Sequence, residues 1–264
     1  IYSVLLFIIP ESPRYLIKIG QITSARLVLE KIIKSSVDQQ VEEIRMSLEK
    51  LSESTNRLFS KRYFKPVSIA FLVAMFNQFS GINAILYYAP RIFELSGLNF
   101  ADSLFQSILI GITNGIFTIV GMILIDRAGR KILLIAGSIG MSVCLALVAR
   151  TFYTQDFGGF VLLIYLLIYI MFFAFSTGAV IWVLIAEIFP NNIRGKGQSL
   201  GSFTHWFFAA LVTFTFPVVI KEIDSGAGHT FMFFSIMMIV QAIVVWKYFP
   251  ETKRRTLEEL GQNL

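Results

Sequence analysis

This sequence predicts an all-α membrane protein built on a bundle of six transmembrane helices. Three observations carry the prediction. Of 264 residues, 55% are hydrophobic and only 15% charged, whereas a soluble domain carries about 25% charged residues. Six stretches hold no charged residue: 66–90, 103–125, 132–149, 157–186, 197–220 and 225–246. Each is about long enough for a helix to cross ~30 Å of hydrocarbon, which takes roughly 17–25 residues. None has the polar stripe of a soluble core helix. Strands of a membrane barrel would be shorter and would alternate.

Taken in order, residues 1–9 are apolar apart from Ser3 and stop at Pro10. No basic segment precedes them, so they read as the tail of a span that starts upstream, not as a signal peptide. Residues 10–65 are polar and charged, with Ile, Leu and Val at helical spacing. Thr23 or Ser24 is expected to cap a helix reaching about Lys34. Asp38 is expected to cap a second, with Val41, Ile44, Leu48 and Leu51 on one face. They read as short amphipathic helices lying under the membrane domain, with a flexible tether as the plainer alternative. Six spans are expected at about 66–90, 103–125, 132–152, 160–188, 197–220 and 229–249, followed by a tail at 250–264. The single cysteine, Cys144, cannot form an internal disulfide and does not report a compartment.

Charge placement sets a topology. With 10–65 in the cytoplasm, the loops on that side hold 19 Lys/Arg and the outer loops three, Arg91, Arg150 and Lys221. The positive-inside rule asks for this asymmetry. The expected location is therefore a cell membrane, crossed several times, with 10–65 and the carboxy terminus cytoplasmic. The net charge of +6 is accounted for by retention at the inner face next to anionic lipid. It does not call for a nucleic-acid partner.

Polar residues inside the apolar runs point to a binding site. Asn77-Gln78-Phe79-Ser80-Gly81-Ile82-Asn83 sits mid-span, with Tyr87 and Tyr88 following. Amides at membrane depth are costly unless they are paired or face a cavity. Gly81 stands where a helix can break, and broken helices line transporter sites. An amide both donates and accepts hydrogen bonds, which suits a neutral polyol better than an ion. The plainer alternative for Gln78, Asn83 and Asn114 is hydrogen-bonded glue between helices. A repeat adds to the picture: Pro10-Glu11-Ser12-Pro13-Arg14 returns as Pro250-Glu251-Thr252-Lys253-Arg254, 240 residues and six crossings later. A repeat after each six-helix block fits two halves related by an axis along the membrane normal.

These motifs carry a resemblance. The 77–83 segment with its Tyr pair resembles the seventh span of the sugar porter branch of the major facilitator superfamily. Asp126-Arg127-Ala128-Gly129-Arg130-Lys131 is similar to that superfamily's loop between spans eight and nine. Glu187-Ile188-Phe189-Pro190-Asn191-Asn192-Ile193-Arg194-Gly195 resembles the end of its tenth span. The two Pro-Glu motifs match the ends of its sixth and twelfth. The resemblance covers the whole chain with the motifs in order. It implies the carboxy-terminal half of a twelve-span fold, with a sugar held between two six-helix bundles and the amino-terminal six-span half as partner.

Carried over, the family's sugar contacts fall on Asn77, Gln78, Asn83, Asn114, Trp182, His205 and Trp206. Tyr87 and Tyr88 are candidates for closing the outer side. Asp126, Arg127, Arg130, Glu187, Arg194 and Glu251 are candidates for an inner gate, with solvated loop charge as the plainer alternative. The sequence departs from the family in three places. Asn77 stands where Gln is common. Residues 178–182 lack the usual prolines. His205 replaces a Gln or Asn. No metal-ligand spacing, phosphate loop or nucleophile motif is present, so no cofactor is implied and an enzyme is not expected. The implied function is monosaccharide transport by alternating access, as facilitator or proton symporter. A sugar sensor on the same fold, or a carrier of another small polyol or organic solute, are the alternatives.

Overall fold

The computed structural model describes residues 10–33, 36–52, 57–190, 193–251 and 253. The expected span end at 1–9, Asn191 and Asn192 of one motif, and most of the tail at 250–264 lie outside the described residues. Helices are the regular elements among the described residues, and they divide into two compact units, 1–57 and 58–264.

In the first unit, Pro13–Lys18 forms α1, Ile22–Ile32 α2 and Val37–Ser52 α3. The Pro-Glu-Ser-Pro motif is a helix start. The Ser12 side chain accepts a hydrogen bond from the Tyr15 amide at 3.1 Å, and Pro13 takes a first-turn position where its missing N–H costs nothing. The expected caps are displaced. Helix α2 begins at Ile22, so Thr23 and Ser24 lie inside its first turn. Asp38 likewise sits within the first turn of α3, where its charge complements the helix dipole. Leu16, Ile17, Ala25, Leu29 and Val41 bury one face of each helix against the others. An Arg26–Asp38 ion pair joins α2 to α3.

In the second unit, a 3₁₀ turn at Lys61–Tyr63 leads into α4 (Phe64–Phe79), and α5 (Ile82–Leu95) completes the same crossing. Next come α6 (Phe100–Ala128) and α7 (Arg130–Thr154). The following crossing is α8 (Val161–Phe173), a π-turn (Ala174–Gly178) and α9 (Ala179–Glu187). Helices α10 (Arg194–Glu222) and α11 (Gly226–Tyr248) finish the bundle. Among the described residues, six runs are long and apolar enough to cross a membrane. They extend past the charge-free stretches because flanking charged residues such as Asp126, Arg130 and Glu187 are helical too.

The core is layered. Toward one end, Ile85, Phe93, Leu145, Tyr169 and Phe231 are fully enclosed. Toward the end bearing Arg130 and Glu187, the enclosed residues include Val73, Leu134, Ile181 and Phe189. Helix α7 packs closely on α11, where Ser235 Oγ donates to the Ser142 carbonyl at 2.8 Å. Small residues and hydroxyls replace hydrophobic segregation as glue where the solvent is itself apolar. Helices α6 and α10 are the most exposed crossings.

Candidate functional site

The site begins at a broken helix. Gly81 has φ +84°, a left-handed conformation that separates α4 from α5, and a Cβ there would overlap the Phe234 ring. The break frees backbone groups in mid-crossing. Tyr169 answers one of them: its hydroxyl donates to the Ser80 carbonyl at 2.9 Å. Ser80 Oγ donates to the Asn77 carbonyl at 2.6 Å. Asn77 and Gln78 thus end α4, and Asn83 opens α5, with their amides close together.

Gln78 is the hub. It is fully buried, and its Nε2 donates to Asn77 Oδ1 at 2.9 Å. The same nitrogen lies 3.1 and 3.2 Å from Nδ1 and Nε2 of His205 on α10, so it faces the ring and serves whichever nitrogen is unprotonated. Gln78 Oε1 accepts from Asn83 Nδ2 at 2.9 Å. Trp182 of α9 stands 4.9 Å from His205 between ring centroids, and Trp206 stands 5.3 Å away on the other side. Both indoles are largely open, 44% and 60% exposed. A chain of uncharged donors and acceptors therefore ends beside exposed aromatic faces. Among the described residues, no hydrogen bond engages Asn83 Oδ1, so its acceptor capacity is spare. This arrangement can bond hydroxyls and pack an apolar C–H face.

Six of the seven residues singled out as sugar contacts are thus connected: Gln78 and His205, and through them Asn77, Asn83, Trp182 and Trp206. Asn114 is different. It is half-buried on α6, and its side chain has no hydrogen bond among the described residues. Tyr87 is exposed. The Tyr88 hydroxyl donates to the Thr213 carbonyl of α10 at 3.1 Å, and α5 kinks at Tyr88 itself, two residues before Pro90. Sequence reasoning missed Tyr169, whose only signal was a polar-tipped ring in an otherwise apolar run. It also missed Thr177, whose carbonyl faces Asn77 Nδ2 at 3.5 Å.

The charged end holds a second cluster. Arg130 starts α7 and is 8% exposed. Its Nη2 and Nε reach the Glu187 carboxylate of α9 at 2.7 and 3.1 Å, a forked pair. Asp126 stands 3.3 Å away, and the Ile125 carbonyl accepts from Nη1 at 3.1 Å. Glu251 caps α7 by accepting from the Arg130 and Lys131 amides at 3.0 and 3.1 Å. Gly129, at φ +92°, makes this possible, because a Cβ there would collide with the Glu251 carboxylate. Lys253 Nζ bonds the Arg127 carbonyl. Arg194 stands apart: its Nε and Nη2 are buried with no partner among the described residues. No group of three or more metal-ligating side chains occurs among the described residues.

Comparison with known proteins shows the family of the chain. The family described as sugar (and other) transporter matches residues 1–264. This chain belongs to that family. It is 37% identical to the D-xylose-proton symporter of Escherichia coli (strain K12) over 98% of its own length and 54% of that protein's. It is 32% identical to the arabinose-proton symporter of Bacillus subtilis (strain 168), over 98% of this chain and 56% of the relative. A solved structure of the proton:xylose symporter bound to 6-bromo-6-deoxy-D-glucose superposes with a TM-score of 0.83 at 36% identity, covering 98% of this chain and 55% of that one. An inward open conformation of the xylose transporter from E. coli gives 0.73 at 35% identity, covering 98% and 53%. The chain spans about half the length of the curated relatives it matches. The family and the six-helix half-fold agree with the resemblance drawn from the five motifs, and the family is one of transporters in multi-pass membrane proteins.

Proposed function

We propose that this chain forms one half of a secondary transporter that moves a monosaccharide, hexose or pentose, by alternating access, as a facilitator or a proton symporter. The supporting observation is the Gln78-centred chain of neutral amides beside exposed indoles at mid-crossing. Gln78, Asn83 and His205 bond sugar hydroxyls, and Trp182 packs on the sugar ring. Trp206 and Asn114 flank them, while Asn77 stands behind Gln78. The sugars that the relatives are named for, xylose and arabinose among them, support the sugar class.

Tyr87 and Tyr88 close the outer side in this proposal. Asp126, Arg127, Arg130, Glu187, Arg194 and Glu251 form an inner gate whose contacts part when the cavity opens inward. An amino-terminal six-span half supplies the facing wall, and the charge asymmetry puts 10–65 and the carboxy terminus in the cytoplasm below a cell membrane.

The test is uptake of labelled hexoses and pentoses by the intact protein in liposomes. Saturable uptake of at least one sugar, lost in Gln78→Leu, is the expected result. A correctly folded protein that takes up none of them would sink the proposal.

A further inference from the structure

The crossing made by α8 and α9 contains no proline, yet it is interrupted. The π-turn at Ala174–Gly178 carries one residue more than an α-helical turn. Each residue of an α-helix advances about 100°, so the extra residue turns everything beyond it by about that angle. Trp182 lies four residues past the end of the turn. A continuous α-helix from Val161 would aim its indole about 100° away from His205. The direction of Trp182 is therefore set by the π-turn.

The turn is held from both flanks. A Cβ at Gly121 of α6 would come within 2.7 Å of the Phe175 backbone, and one at Gly137 of α7 would overlap the Ser176 side chain. Ser176 Oγ bonds back to the Phe172 carbonyl. The Thr177 hydroxyl is fully buried with no partner among the described residues. A hydroxyl inside a helix ordinarily bonds a carbonyl one turn back. The turn thus keeps one hydrogen bond unmade.

Asn77 meets the turn at this point. It is 2% exposed. Its Oδ1 accepts from Gln78, and its Nδ2 faces the Thr177 carbonyl at 3.5 Å, longer than the usual range for such a bond. Both ends of the amide are turned to protein. The contacts close a circuit: Gln78 to Asn77, Asn77 to Thr177, then along one helical turn to Trp182, to His205, and back to Gln78.

We propose that Asn77 is a positioning residue, not a sugar contact: it ties the Gln78 hub to the π-turn and so fixes the direction of Trp182. The proposal rests on the sugar-site reading for its consequence, though not for its geometry. When a hydroxyl draws on Gln78, the Asn77 amide shifts, its long bond to Thr177 shortens or opens, and the indole turns with the helix beyond.

The experiment uses the intact protein labelled with 5-fluorotryptophan, with the Trp182 ¹⁹F resonance assigned by Trp182→Phe. Spectra are recorded without sugar, and D-xylose and D-glucose affinities are then measured. In Asn77→Leu, and in the smaller Asn77→Ala, the Trp182 resonance is expected to move or broaden, and sugar affinity to fall about 5- to 30-fold. Thr177→Val removes only the hydroxyl, so the resonance stays in place. A Trp182 resonance unmoved in both Asn77 variants overturns the proposal. If affinity falls all the same, Asn77 touches the sugar directly. A resonance that moves with affinity unchanged overturns the positioning role. If the unmodified protein binds no sugar, the sugar-site reading fails, and the sugar-free spectra still decide whether Asn77 governs Trp182.

Discussion

The Gln78 and Arg130 clusters both join helices far apart in the chain. Gln78 reaches His205 across 127 positions, and Arg130 reaches Glu187 across 57. Their chemistry is opposite. The first is made of amides, an imidazole and indoles at mid-crossing. The second is made of carboxylates and a guanidinium at a helix end. Depth explains the division. A charge near the centre of the hydrocarbon is expensive, whereas one at a helix end reaches the interface. The neutral cluster keeps spare hydrogen-bonding capacity beside open aromatic faces. In the charged cluster, Arg130 is used up by two carboxylates and a carbonyl. One arrangement suits a passing hydroxylated solute, and the other suits a fastening.

Removing either hub tests that contrast. The largest effect is expected for Gln78→Leu, which strands the Asn83 donor and the Asn77 acceptor together. Each stranded buried group costs about 1–3 kcal/mol. Sugar uptake should fall roughly 100-fold, the equivalent of about 2.7 kcal/mol, with circular dichroism unchanged. A variant that transports normally would reduce the cluster to packing. Arg130→Met comes next. The pair with Glu187 is mostly but not fully enclosed, 10% and 26% exposed at the side chains. Its loss should fall between the ~0–1 kcal/mol of an exposed pair and the ~3–5 kcal/mol of a buried one. Thermal unfolding in detergent reads this, and adding Glu187→Gln should restore part of it. The smallest change is Asp126→Asn. That carboxylate is 78% exposed, so stability should move by no more than ~1 kcal/mol. A larger loss would make Asp126 an equal member of the cluster.

The neutral site was largely legible in the letters because a polar residue in an apolar run is costly and therefore conspicuous. Gln78 and Asn83 stood out for that reason, whereas Trp182 and His205 came from the resemblance to the sugar porters, and the four lie together. Asn114 came from the same resemblance, yet no side-chain hydrogen bond joins it to them among the described residues, since spacing along one helix does not report its neighbours. The π-turn left no letter of its own. It consists of ordinary helix residues, and it depends on Gly121 and Gly137 in two other helices. Residues 178–182 lack the prolines usual in the family, yet the crossing is interrupted at Ala174–Gly178. At the charged end, sequence grouped the charges but not their pairing. Arg130 is central and Arg194 stands apart, a difference that tertiary packing decides. In the first unit, the helices start two or three residues before the expected caps would place them. Thr23, Ser24 and Asp38 are equally at home within a first turn.

The most direct test is a structure of the intact protein with a bound hexose or pentose. Sugar hydroxyls within hydrogen-bonding distance of Gln78 and Asn83, and a ring face lying over Trp182, are the predicted result. A sugar bound elsewhere, with the 77–83 amides still closed on one another, would contradict the account.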